Sequence, residues 1–129
     1  MARPGSKHTT ELELEILKIL WRDGALPVSG VRETLSGFRK LAHTSVMTIM
    51  GIMTDKKYLS RKKSGGRYIY RPRISRESTL RGMLGDMVER VFEGSASAAM
   101  LNLLETSELD AEELRALRKI VNAKSRGQQ

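Results

Sequence analysis

Tyr58-Leu59-Ser60-Arg61-Lys62-Lys63-Ser64-Gly65-Gly66-Arg67-Tyr68-Ile69-Tyr70-Arg71-Pro72 is the stretch on which the reading of this 129-residue chain turns. Two short β-prone runs flank a Gly-Gly pair, the signature of a hairpin with a two-residue turn. Side chains alternate along a strand, so Tyr68 and Tyr70 share one face and Ile69 takes the other. Five cations, Arg61, Lys62, Lys63, Arg67 and Arg71, surround the turn.

Upstream of the hairpin the apolar residues recur with helical period. Thr10-Glu11-Leu12-Glu13 has capping-box spacing, and Leu12, Ile16, Leu17, Leu20 and Trp21 then fall on one face until Asp23-Gly24. A second short helix is expected from about Gly30 to Ser36, with Val31 and Leu35 inward and Gly37 as its stop. Thr44 or Ser45 opens a third, running to about Lys57, with Val46, Ile49, Met50 and Met53 as its core stripe. At about 100° per residue, Thr44, Thr48, Gly51 and Asp55 point the other way, flanked by Met47 and Ile52. A solvated helix carries Lys and Glu on such a face; a helix laid against another surface does not. Three helices followed by a basic hairpin is the order of a winged helix-turn-helix, in which the third helix enters the major groove and the wing rides on the backbone.

Downstream of Pro72 the character changes. Ser75 can cap a helix in which Leu80, Met83, Leu84, Met87, Val88, Val91 and Phe92 follow one helical stripe up to Glu93-Gly94. Ala98 to Leu104 is apolar apart from Asn102, and includes Met100, Leu101 and Leu104. Asp110-Ala111-Glu112-Glu113 caps a last helix with Leu114, Leu117, Ile120 and Val121 on one face. About 50 residues in short amphipathic helices bury too little surface alone, so they need a partner or a staple, or else fold back onto the first domain. There is no Cys to supply a staple, and a two-fold homodimer is the commonest solution. The expected organisation is therefore mainly α with a small β-hairpin wing. A winged-helix domain spans 8–74, a helical dimerisation region spans 75–123, and 1–7 and 124–129 form flexible tails.

The net charge of +8 is not spread evenly. Residues 1–74 carry 15 Lys/Arg against 6 Asp/Glu, whereas residues 75–129 carry 8 against 9. A chain polarised in this way presents one part to a polyanion and uses the other for something else. The expected partner is duplex DNA. Arg39, Lys40, Lys57, Arg61, Lys62, Lys63 and Arg67 would neutralise phosphates and release counterions. Thr44, Ser45 and Thr48 would read bases through hydroxyls, and Thr48 or Met47 would touch thymine methyls. His43, beside the start of the third helix, either meets phosphate or plays a plain capping role.

Other functions are disfavoured by what the chain lacks. Without Cys there is no disulfide scaffold, thiolate metal site or cysteine nucleophile. His8 and His43 have no metal-ligand spacing, and no cofactor or metal is expected. No Ser–His–Asp set, Gly-rich phosphate loop with Lys or HExxH is present, and no enzyme activity is expected. Apolar runs are only a few residues long and the first residues lack the apolar core of a signal peptide, so membrane insertion is not expected and a cytoplasmic location is. Two rivals to operator binding are RNA binding, for which Tyr68 and Tyr70 are the only aromatic platform, and a protein-interaction module built on a winged helix.

Several stretches, in their order and spacing over about residues 10–121, resemble the penicillinase-repressor family (BlaI/MecI/CopY type). They are Glu11-Leu12-Glu13-Leu14-Glu15-Ile16-Leu17-Lys18-Ile19-Leu20-Trp21, Leu41-Ala42-His43-Thr44-Ser45-Val46-Met47-Thr48-Ile49-Met50, Gly66-Arg67-Tyr68-Ile69-Tyr70-Arg71-Pro72, Arg90-Val91-Phe92-Glu93-Gly94-Ser95 and Glu112-Glu113-Leu114-Arg115-Ala116-Leu117. The resemblance implies a bacterial transcriptional repressor that binds a palindromic operator as a dimer. It places groove-facing positions on Thr44, Ser45, Met47 and Thr48 and a wing contact on Arg67. It further implies, for the lactam-responsive branch, a membrane sensor with a protease and a cleavable bond at Asn102-Leu103. The chain departs from the family pattern in four places. Gly51 and Ile52 stand where a polar or basic residue and an Arg are usual, and Lys56-Lys57 replaces Lys-Gly. Asn102-Leu103 replaces Asn-Phe, and the paired Cys of the copper-responsive branch are missing.

Overall fold

The computed structural model describes residues 10–127. Eight elements follow in order: α1 (Glu11–Asp23), α2 (Val28–Leu35), α3 (His43–Asp55), β1 (Leu59–Ser64), β2 (Arg67–Pro72), α4 (Arg76–Val91), α5 (Ala96–Thr106) and α6 (Ala111–Gly127). The expected flexible segment 1–7, His8 and residues 128–129 lie outside the described residues.

The first compact unit runs to Gly85, and within it α1 to β2 form a winged helix. Its α1 starts on the expected capping box: Glu13 N–H donates to Thr10 Oγ1 at 3.1 Å, and Thr10 N–H donates to Glu13 Oε1 at 2.9 Å. Ile16, Leu17 and Leu20 of α1, Val31 and Leu35 of α2, and Val46, Met50 and Met53 of α3 close a single core with Leu59 and Tyr70 from the hairpin. Each such side chain contributes about 1.5–3 kcal/mol of burial, which fixes how α3 is presented. Trp21 packs on the edge of this core, as expected, and its indole N–H donates to the Ile74 carbonyl at 3.0 Å.

β1 and β2 pair antiparallel from Leu59↔Pro72 to Ser64↔Arg67. Gly65 and Gly66, at φ +57° and +83°, take the two left-handed positions a two-residue hairpin turn demands. A third, one-residue strand was not anticipated. Leu26 bridges Tyr70 through two backbone hydrogen bonds of 3.0 and 2.8 Å and ties the α1–α2 connection to the wing.

Several element limits differ from the sequence expectation. α2 begins at Val28 rather than Gly30, because Pro27, with φ fixed near that of a helix start, serves as N-cap. α3 begins at His43 with Ala42 at its N-cap, so neither Thr44 nor Ser45 caps it. It ends at Asp55, where Lys57 N–H bonds to the Thr54 carbonyl and Tyr58 N–H to the Met53 carbonyl, with Lys57 at φ +70°. This is a Schellman-type stop, with Lys in the position that favours Gly. The first unit continues past residue 74 because Ile74 binds Trp21 and Thr79, on the first turn of α4, is buried.

The second compact unit, Asp86–Gln129, contains the end of α4 and all of α5 and α6. Ser95 caps α5 by accepting from Ala98 N–H at 3.1 Å, and Asp110 and Glu113 form a reciprocal cap on α6. α6 continues to Gly127, so the frayed tail expected from 124 is helical through that residue. No residue of α5 or α6 is buried.

Candidate nucleic-acid interface

The core stripe of α3 fixes what its other side presents. Val46, Met50 and Met53 are fully buried, so Thr44, Ser45, Met47 and Thr48 are all exposed, as is His43 at the first helical position. Thr48 Oγ1 donates to the Thr44 carbonyl at 2.9 Å. Its donor is therefore spent within its own helix, and only acceptor lone pairs and the methyl remain for a partner. The expectation that Thr48 reads bases as a hydroxyl donor narrows accordingly. No side chain caps the start of α3, which leaves its first-turn N–H groups free for an outside acceptor.

The cations expected at phosphates are exposed without exception: Arg39 and Lys40 in the α2–α3 connection, Lys57 after α3, and Arg61, Lys62, Lys63 and Arg67 on the wing. Arg32, which the sequence did not single out, donates to the Leu41 carbonyl at 2.9 Å and braces the loop that carries Arg39 and Lys40.

The two wing faces are unlike. On one, the Arg61 guanidinium lies over the Tyr68 ring, 4.3 Å from its centroid, and Nη1 reaches the Tyr70 hydroxyl at 3.5 Å. Hydrogen bonding to that hydroxyl raises the guanidinium pKa above its ordinary value. Tyr68 and Tyr70 meet edge to face with centroids 6.5 Å apart, and Tyr70 is only 2 % exposed. The pair thus offers a single accessible ring, already covered by Arg61. Between the start of α2, the first turns of α3 and β2 lies an apolar cleft of about 440 Å³. Pro27, Val28, Ser29, His43, Met47, Arg67, Tyr68 and Tyr70 line it, with no carboxylate among them.

Elsewhere, Leu80, Leu84, Met87 and Val91 of α4 are exposed while Met83, Val88 and Phe92 are half-buried. Met100, Leu101 and Leu104 of α5 and Leu117 and Val121 of α6 are exposed too, joined by Leu103, Leu114 and Ile120. Asn102 and Leu103 sit inside α5, both solvent-facing, with Leu103 59 % exposed. Among the described residues no group of His, Cys, Asp or Glu is placed to hold a metal ion, and no helix is long and apolar enough to cross a membrane.

The sequence profile described as penicillinase repressor matches residues 9–123. The chain is similar to the penicillinase repressor of Bacillus licheniformis, 24 % identical over 112 residues that cover 87 % of this chain and 88 % of that protein. It is also similar to the transcriptional regulator BlaI of Mycobacterium tuberculosis, 30 % identical over 111 residues covering 84 % and 79 % of the two chains. Among solved structures, the solution structure of the DNA-binding domain of the repressor BlaI aligns with a TM-score of 0.48 at 23 % identity, over 59 % of this chain and 90 % of that one. With a profile spanning nearly all of its length, the chain belongs to the penicillinase repressor family.

Proposed function

We propose that the chain is a transcriptional repressor that binds a palindromic DNA operator as a homodimer. The observation that carries this reading is the exposed face of α3. Apart from Met47, Ile52 and Asp55 it is small and polar; it is free of Lys and Glu and lies in the same unit as the exposed cations of the wing and the α2–α3 connection. Such a face suits insertion into the major groove, with cations on the flanking phosphates. Hydroxyls and a thioether are weak readers beside Arg on guanine. Specificity is therefore shared among several side chains, DNA shape and the spacing of half-sites, about 34–36 Å apart.

The dimer reading is supported by the exposed apolar rows of α4, α5 and α6, which have no intrachain cover on α5 and α6. We further propose that the protein works in the cytoplasm, without cofactor or metal. Relief of repression by a membrane sensor's protease, cutting at Asn102-Leu103, requires α5 to unwind locally, because that bond lies mid-helix.

The test is a gel shift on the protein's own upstream region, with random duplex and RNA as competitors, at two salt concentrations. Specific, salt-sensitive binding saturating at one dimer per palindrome is expected. Equal affinity for random duplex and RNA would refute operator recognition.

A further inference from the structure

The wing carries five cations that the sequence cannot rank, and its two faces rank them. The register pairs Arg61 with Tyr70 and Lys63 with Tyr68, so these four side chains share one face; Lys62, Arg67 and Arg71 belong to the other. On the first face Arg61 lies flat on Tyr68 and reaches Tyr70, and both rings line the cleft beside Met47 and His43 of α3. The side chains of Lys62 and Arg71, on the other face, are exposed. A guanidinium held on an aromatic ring loses less rotamer freedom on meeting a phosphate than one that ranges through solvent.

We propose that one sugar–phosphate unit of duplex DNA seats against the Arg61–Tyr68 face, its phosphate on the Arg61 guanidinium and its deoxyribose on the Tyr68 and Met47 edge of the cleft. Tyr68 is thereby a positioning residue of the interface, and Lys62 and Arg71 supply only diffuse charge. The occupant follows from charge and shape: the lining holds Arg67 and no acid, its walls are apolar, and it opens beside the α3 face proposed to enter the major groove. The proposal rests on the DNA-binding reading above.

The experiment compares charge-matched variants of the full chain on the upstream operator duplex and on random duplex, across a salt series. Arg61→Ala and Arg71→Ala remove the same charge. Arg61→Ala is expected to weaken both duplexes about tenfold and reduce the salt slope by about 0.9, with Arg71→Ala staying within about threefold. Tyr68→Ala is expected to follow Arg61→Ala in affinity, while Tyr68→Phe, which keeps the ring, binds like the parent. Arg61→Lys restores the slope but not the affinity, since it keeps charge and loses the planar stack. Thermal unfolding of each variant separates a folding defect from a binding one. Equal losses for Arg61→Ala and Arg71→Ala, or full binding by folded Tyr68→Ala, overturn the proposal while operator binding stands. A parent chain that binds no duplex removes both.

Discussion

Glu13 and Lys56, 43 residues apart, form a buried ion pair in which the Lys56 ammonium donates to both carboxylate oxygens at 3.0 and 2.9 Å. Their side chains are only 4 % and 8 % exposed. Glu13 Oε1 also accepts from Thr10 N–H, so one carboxylate closes the start of α1 and clamps it to the end of α3. Lys56 in turn lies 5.5 Å from the Tyr58 ring centroid. The residue that follows the last turn of α3 is thus tied to the group that sets where α1 starts.

Removing one member strands the other. Glu13→Gln keeps an acceptor for Thr10 N–H while deleting the charge, and leaves a buried ammonium without its counter-ion. Urea unfolding should show a loss of about 3 kcal/mol, and Lys56→Met a similar one. In the double variant the losses should fall short of the sum of the singles by about 1 kcal/mol or more. Single losses below 1 kcal/mol would show that water reaches the pair.

Lys57 stands at φ +70°, the left-handed position in which glycine carries no Cβ penalty. Lys57→Gly should therefore stabilise the fold by about 1 kcal/mol, whereas Lys57→Ala keeps the strained backbone and should not. Both substitutions delete the same charge, so both should weaken duplex binding equally if Lys57 meets a phosphate. A stability gain in Lys57→Ala as large as in Lys57→Gly would assign the effect to charge rather than to backbone geometry.

What could be read from the chain, and what could not, divides by range. The stripe Val46, Met50, Met53 and the Gly65-Gly66 turn are local and periodic, so they were legible and fixed the outward face of α3. The Leu26 bridge to Tyr70 is one residue long and has no period to detect. Glu13 carried a legible capping signal, but its second role depends on a Lys 43 residues away. Glu13 is at once a cap and a buried partner. Thr48 was legible as exposed, yet the commitment of its hydroxyl to Thr44 shows only in the structure. Among the wing cations, alternation told which residues share a face but not which side chain Arg61 covers.

The apolar rows of the C-terminal helices predict an oligomer sensitive to single charges. Leu84 is 59 % exposed and Ile120 is 65 % exposed. If each is buried in a homodimer, Leu84→Asp or Ile120→Asp forfeits about 2 kcal/mol per copy, or about a thousandfold in dimer Kd. Sedimentation equilibrium of the full chain should show a dimer at micromolar concentration and a monomer for either variant. A parent chain that sediments as a monomer, or variants that remain dimeric, would move these faces out of the self-association surface.

Gly51 sits in the ninth position of α3, mid-helix, on the face that carries Thr44 and Thr48. A Cβ added there would meet nothing within 4 Å, so neither packing nor backbone conformation in the chain itself calls for glycine. Glycine inside a helix costs about 1 kcal/mol relative to alanine. A position that carries this cost without an internal reason suits an outside surface that approaches the helix backbone closely. Gly51→Ala should therefore raise the unfolding free energy by about 1 kcal/mol while weakening specific duplex binding about tenfold, two effects of opposite sign from one methyl group. Chemical denaturation and a gel shift on the same preparation measure both. A stabilised variant that binds its operator as tightly as the parent would show that α3 does not press against DNA at this turn, and would restrict its groove contacts to the first two turns around Thr44 and Thr48.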